Sequence, residues 1–295
     1  MAILVTGSTG MIGSKVVRHL AEQGAQVHTL VRDVKKAAFP PGVKVVQGDM
    51  TDVDSMRSAL KGIDTLFLLN AVVPDELTQA LVTLDLAREA GIQRLVYFSV
   101  YYSALFTDVP HFTGKHAVER VIDDKGIAAT VLRPAYFFQN DARLKEAIFD
   151  NGVYPMPIGD IGLAMVDARD IAEIAANELL RRERASGPLP TNIIGIVGPN
   201  VLTGGAAAGI WADALAREVR YAGNDLDAFE QTFKKFSPGW MARDMRIMMR
   251  SFQRYGMLPG ENTMSILESL LNRPMRSYAV FARETADEWR RAVRS

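Results

Sequence analysis

Short β-branched apolar runs separated by helical patterns fill the first half of the chain. Ala2–Thr6, Gln26–Val31, Val43–Val46, Thr65–Leu69, Arg94–Ser99 and Ala128–Leu132 predict strands. Most are apolar at nearly every position instead of alternating, as parallel strands are when helices cover both faces. Between them, Met11–Glu22 places Ile12, Val16, Val17 and Leu20 on one helical stripe, with Gly24 near its end. Thr51 with Asp54 predicts a capping box for a helix over Asp52–Leu60. Glu76–Ala90 reads as a long helix stopped by Gly91, and Pro110 opens one that runs to Gly126.

This alternation predicts an α/β fold with a doubly wound parallel sheet of the Rossmann type over residues 1–140. Beyond about residue 141 the rhythm becomes helix-rich, with short strands at Ile193–Val197 and Val219–Ala222. Asp167 followed by Asp170 marks the capped start of a helix through Arg181. Residues 141–295 are therefore expected to form a smaller, mostly helical substrate domain, some of whose elements return to the first. Because open α/β sheets bind ligands at the carboxyl ends of their strands, this half is expected to pack there and supply most substrate contacts. Met241, Met245, Met248, Phe252 and Tyr255 form one stripe of an amphipathic helix whose other stripe is Arg243, Arg246, Arg250 and Arg254. The apolar stripe reads first as a core face, and secondly as a lid over an aromatic or hydrophobic substrate.

Composition narrows the chemistry. The chain has 295 residues, 48% hydrophobic and 23% charged, which excludes disordered and fibrous classes. Lys and Arg number 34 against 34 Asp and Glu, so no global field recruits nucleic acid or an anionic membrane. Without cysteine there is no disulfide, thiolate nucleophile or iron–sulfur cluster, and redox chemistry needs a borrowed cofactor. The four histidines (His19, His28, His111, His116) lack metal-ligand spacing, so no metal is expected. The N-terminus lacks the pattern of a signal peptide, and no run approaches a membrane span, so a cytoplasmic protein is expected.

The strongest motif is T-G-S-T-G-M-I-G, immediately after the first strand and opening the first helix. Gly7 permits the tight turn, Gly10 lets the backbone approach a pyrophosphate, and Gly13 allows close packing of helix and strand. Ser8, Thr9, Met11 and Ile12 complete the cofactor loop. The spacing differs from G-x-G-x-x-G and resembles the short-chain dehydrogenase/reductase superfamily, especially its extended and atypical branches. At the end of the second strand stand Arg32, Asp33, Lys35 and Lys36. Arg32, aided by Lys35 or Lys36, suits a 2′-phosphate, whereas Asp33 competes as a holder of a ribose diol but reads better as the N-cap of the next turn. NADP is favoured over NAD.

The chain resembles the NmrA-like family of atypical short-chain dehydrogenase/reductases through TGSTGMIG, LVRD, QGDMTD, HFTGKHAVERVIDDKGIAATVLRPAYFFQN and VDARDIA. That resemblance implies adenine contacts from Asp49 and Met50, and backbone contacts from Leu69, Asn70 and Ala71. It also implies contacts near the nicotinamide from Lys115, Phe137, Phe138 and Asn140. By itself Asp49 would read as a loop aspartate capping the next helix. The parent superfamily uses Tyr-x-x-x-Lys with an upstream Ser; here the segment is His111-Phe-Thr-Gly-Lys115, and Ser99 stands at the serine position. The i, i+4 spacing places His111 and Lys115 on one helical face, as proton donor and ribose anchor, with Lys115 taken as an exposed helical lysine. Tyr101, Tyr102 and Tyr136 are alternative donors. The resemblance implies an NADPH-dependent reductase of a small carbonyl, quinone or conjugated substrate, apolar or aromatic. The alternative it admits is a non-catalytic NADP(H)-sensing regulator, because His replaces the proton-donating Tyr.

Overall fold

A computed structural model describes residues 1–294, apart from the side chains of Lys36, Val293 and Arg294. In chain order the elements begin with β1 (Ala2–Val5), α1 (Gly13–Glu22), β2 (Gln26–Val31), β3 (Lys44–Gln47), α2 (Val53–Leu60), β4 (Thr65–Leu68) and α3 (Glu76–Glu89). There follow β5 (Arg94–Phe98), α4 (Pro110–Asp124), β6 (Ala129–Pro134), β7 (Val153–Tyr154), α5 (Ala168–Arg184) and β8 (Asn192–Ile196). The remainder is α6 (Gly204–Leu215), β9 (Arg220–Tyr221), α7 (Leu226–Phe233), α8 (Gly239–Tyr255), α9 (Thr263–Leu271) and α10 (Tyr278–Arg294).

The chain divides into two compact units, one of Met1–Ser103, His111–Arg133 and Arg169–Gly195, the other of Ala104–Pro110, Pro134–Ala168 and Ile196–Ser295. Thus α5 and most of β8 belong with the first unit.

In the first unit the sheet order is β3-β2-β1-β4-β5-β6-β8, and each neighbouring pair from β3 to β6 is parallel. This is the doubly wound arrangement, whose strand order reverses between β1 and β4. Ile3, Leu4 and Val5 are completely buried, which explains the uninterrupted apolar strand pattern. On one face Leu66, Leu68, Leu95 and Tyr97 meet Met56 and Leu60 of α2, Leu84 of α3, and Val118 and Ile122 of α4. Each such side chain contributes about 1.5–3 kcal/mol on burial. Arg182, fully buried near the end of α5, donates to Thr130 Oγ1 at 2.7 Å and to the Leu189 and Pro190 carbonyls at 3.0 and 2.8 Å. These bonds tie the loop before β8 to β6 and satisfy a cation whose pKa burial lowers to about 10.

The expected capping box at Thr51 does not form. Thr51 instead gives both its amide and its hydroxyl to Asp49 Oδ1, at 2.9 and 2.7 Å. Asp52 becomes the N-cap of α2, accepting from the Ser55 amide at 3.0 Å, because a nearer carboxylate has already taken the threonine.

The second unit holds the parallel pair β7–β9 and helices α6–α10. Its core is aromatic: Trp211 stacks on Trp289 at 5.0 Å and meets Tyr278 and Phe281 edge-on. In α8, Met248 and Phe252 of the methionine stripe are buried, while Met241 and Met245 are half-buried and Tyr255 is exposed. On the arginine stripe, Arg243 and Arg246 bond Glu230 and Asp227 of α7, and Arg250 bonds Asp108.

Candidate functional site

The β1–α1 connection is built as the glycine pattern predicts. Gly7 has φ +59°, and a Cβ there would lie 2.9 Å from the Leu69 carbonyl oxygen. Gly13 is tighter still, because its Cβ would sit 2.2 Å from the Gly7 carbonyl oxygen and 2.9 Å from Ser8 Cα. The close approach at Gly13 is thus to the turn itself, not to the strand. Two hydroxyls fix the loop from below. Thr6 Oγ1 donates to the Leu69 carbonyl at 2.9 Å and accepts from the Leu69 amide at 2.8 Å, while Ser8 Oγ donates to the Leu30 carbonyl at 3.1 Å. They clamp the carboxyl ends of β1, β4 and β2 together. No side chain caps α1 at Ile12; the Ser14 and Lys15 amides bond the Gly10 and Ile12 carbonyls at 3.0 Å, and the positive end of the helix dipole faces the glycine turn, where it favours an anion.

Around this turn lie the residues expected at the adenosine end. Arg32 follows β2 and is exposed, with its carbonyl accepting from Gln47 Nε2 at 3.3 Å. Asp33 caps the turn Val34–Lys36, accepting from the Lys35 amide at 3.0 Å, as its N-cap reading required. The side chain of Lys36 lies outside the described residues. The Asp49 carboxyl is held below its ordinary range, first by the Thr51 amide, then by the Thr51 hydroxyl, and to a smaller extent by the Arg32 charge. Arg32 and Asp49 are therefore neighbours. Met50 Sδ lies 3.7 Å from Asn70 Nδ2, and the buried Asn70 Oδ1 has no partner. An orphaned amide oxygen, a turn with no room for Cβ atoms and an uncapped helix end fit a dinucleotide. Leu69 is buried beneath Gly7, and Ala71 is exposed beyond it.

Two expectations fail further along the carboxyl edge. Lys115 is not a surface residue: its side chain is 7% exposed, and Nζ lies 2.6 Å from Oε1 of Glu76, itself 10% exposed. Lysine and glutamate meet because α3 and α4 both begin at the carboxyl edge of adjacent strands. Removing one partner of such a pair costs about 3–5 kcal/mol, so Lys115 carries folding free energy as well as any ligand contact. Ser99 is buried, and its hydroxyl donates to Glu119 Oε1. Glu119 also accepts from Ser103 Oγ at 3.2 Å and from Arg133 Nε at 3.0 Å, with His116 Nδ1 at 3.6 Å. Ser99 thus belongs to a hub joining β5, α4 and β6, not to a free catalytic pair.

His111 stands half-buried in the first turn of α4, its ring edge-on to Phe112 at 4.7 Å. Of the alternative donors, Tyr101 and Tyr102 follow β5 and stack at 4.6 Å. Tyr102 adopts φ +61°, a conformation that costs a non-glycine residue energy and clusters at functional sites. Tyr136 belongs to the second unit, where burial pushes its hydroxyl well above 10 and suits it poorly to proton release. Phe137, Phe138 and Asn140 are in that unit too. Phe138 is 1% exposed and packs on Tyr278 and Phe281 at 5.1 and 5.5 Å, so it is core there and has no face for a ligand. Phe137 and Asn140 are half-buried.

The residues missed from sequence are Thr6, Glu76, Glu119 and Arg133. One signal existed: Lys115 and Glu119 interrupt the buried stripe Phe112, Val118 and Ile122 of α4, and charges on an apolar stripe require partners. Among the described residues no group of three His, Asp or Glu is placed to hold a metal, and no helix is long and apolar enough to cross a membrane.

A glycine turn under an uncapped helix, at the point where the strand order reverses, defines a doubly wound nucleotide-binding architecture. The chain belongs to the NmrA-like family, whose model matches residues 1–279. It is 30% identical over 292 residues to an NAD(P)H azoreductase of Xenophilus azovorans, covering 96% of this chain and 98% of that protein. Its fold matches that of the NADPH-dependent quinone oxidoreductase of Escherichia coli solved with NADPH, at TM-score 0.83 and 23% identity over 96% of this chain and 99% of that one. It likewise matches the Citrobacter triphenylmethane reductase at TM-score 0.84 and 20% identity, over 97% of this chain and 100% of that one.

Proposed function

We propose that the protein is an NADPH-dependent reductase of small conjugated acceptors, of the quinone or azo type. The observation that carries this reading is the glycine turn with its uncapped α1 end, flanked by exposed Arg32 beside Asp49. The Gly7–Gly13 turn and the positive end of the α1 dipole would hold the pyrophosphate, and Arg32 the 2′-phosphate through a charge-assisted fork. Met50 and Asn70 would line the adenosine side, and Lys115 would bond the nicotinamide ribose. The relatives' names point the same way, to NAD(P)H, quinones and dyes.

When bound, NADPH supplies a hydride. What remains for the chain is to bring a proton to the heteroatom on which negative charge develops. We assign that task to His111, which stands one helical turn before Lys115 in α4, and a positioned acid contributes about 10²–10⁴-fold. The test is loss of nicotinamide absorbance from NADPH with and without members of a quinone and azo-dye panel. Acceptor-dependent oxidation is expected. Tight NADPH binding with no oxidation across the panel, and a cofactor-dependent change in protease sensitivity, would replace the reductase by a sensor.

A further inference from the structure

Glu76 opens α3 just beyond the carboxyl end of β4, while Lys115 lies in the second turn of α4, beyond the end of the adjacent β5. The two approach to 2.6 Å across 39 residues of sequence, each about nine-tenths buried. A lysine ammonium has three donors, and Glu76 is the acceptor given to it among the described residues. Two N–H groups are left for a ligand. A free lysine carries side-chain rotamer entropy, which a ligand must otherwise remove on binding. Burial of such a pair is weak evidence for stability, because apolar replacements are often as stable. What the pair does is fix a charge at the carboxyl edge of the sheet.

We propose that Glu76 is a positioning residue, holding the Lys115 ammonium where it receives the ribose of the nicotinamide nucleotide. This rests on the reading of Lys115 as a cofactor contact. Glu76 touches no ligand itself and acts through the lysine. The helix that follows β4 thereby contributes to the grip of the helix that follows β5.

The experiment is NADPH titration of wild type, Glu76→Gln, Glu76→Asp, Lys115→Met and the double variant Glu76→Gln/Lys115→Met, with the thermal midpoint of each measured without cofactor. Lys115→Met and Glu76→Gln should each weaken binding by roughly tenfold, the first by removing the contact and the second by releasing the lysine that makes it. Glu76→Asp keeps the charge and should bind more tightly than Glu76→Gln. The double variant should regain thermal stability, since neither charge is left unpaired. Its affinity should stay that of Lys115→Met, which a merely structural pair would not produce. If Glu76→Gln binds like wild type while Lys115→Met does not, or if affinity returns with stability in the double variant, the positioning role is overturned. If Lys115→Met itself binds like wild type, the underlying reading of Lys115 falls instead. Equal affinities of the Asp and Gln variants would also contradict the proposal.

Discussion

Replacing Asp141 by Asn removes a buried carboxyl that titrates near neutrality. Oδ2 of Asp141 accepts from the hydroxyls of Tyr278 and Tyr154, the latter at 3.1 Å, and Trp211 Nε1 donates to the Tyr278 oxygen at 2.8 Å. Oδ1 is buried without a partner. Burial raises this carboxyl from 3.8 to about 7, against the smaller lowering effect of the tyrosine bonds. Between those values the folded protein binds a proton that the unfolded chain does not. The stability is therefore complete below about pH 4 and is lost as pH rises through about 7, at about 1.4 kcal/mol per pH unit in between. From about pH 5 to about pH 8 the loss is roughly 2–3 kcal/mol. Asn cannot titrate there, and its unpaired amide donor lowers stability by about 1–3 kcal/mol at all pH values. The two profiles should thus converge or cross as pH rises. Urea unfolding followed by tryptophan emission measures this, because Trp211, Trp240 and Trp289 all lie in the second unit. Parallel profiles, with an unchanged difference across this range, would show that Asp141 does not take up a proton on folding.

Other expectations follow from the first unit. Arg32→Ala should reduce the preference for NADPH over NADH by roughly 10- to 150-fold, the worth of a charge-assisted fork, in a fluorescence titration of both cofactors. Gly13→Ala should abolish the rise in melting temperature that NADPH confers on wild type, because the added Cβ meets backbone 2.2 Å away and the turn must open. Ser99→Ala should lower stability by about 1–3 kcal/mol in urea unfolding while leaving kcat within a few-fold, since its hydroxyl is bonded to Glu119.

Much of the first unit was legible because its code is local. Continuous apolar runs gave the strands to within one or two residues, and the predicted helix over Glu76–Ala90 differs by one residue from α3. The glycine turn was legible for the same reason, since Gly7, Gly10 and Gly13 constrain one another within a few residues. Partners far apart in sequence were not. The i, i+4 spacing put His111 and Lys115 on one face but said nothing of what that face meets, and Glu76 reached Lys115 only through the order of strands. Ser99 matched a family position, yet tertiary packing gave its hydroxyl to Glu119. Phe138 followed a strand end, where ligand contacts are common, but its ring joined an aromatic core built from Trp211, Tyr278 and Phe281, residues far along the chain. The Thr51 capping box lost to Asp49, a competitor two residues away that the pattern also contained.

We propose that the protein reduces an acceptor with His111 supplying the proton. The deciding measurement is single-turnover mixing of NADPH-saturated protein with a quinone, in wild type and in His111→Phe. Wild type should reduce the quinone, and His111→Phe should be slower by about 10²–10⁴-fold with NADPH affinity little changed. No quinone-dependent oxidation in wild type would contradict reduction itself, and an equal rate in both proteins would contradict the assignment of His111.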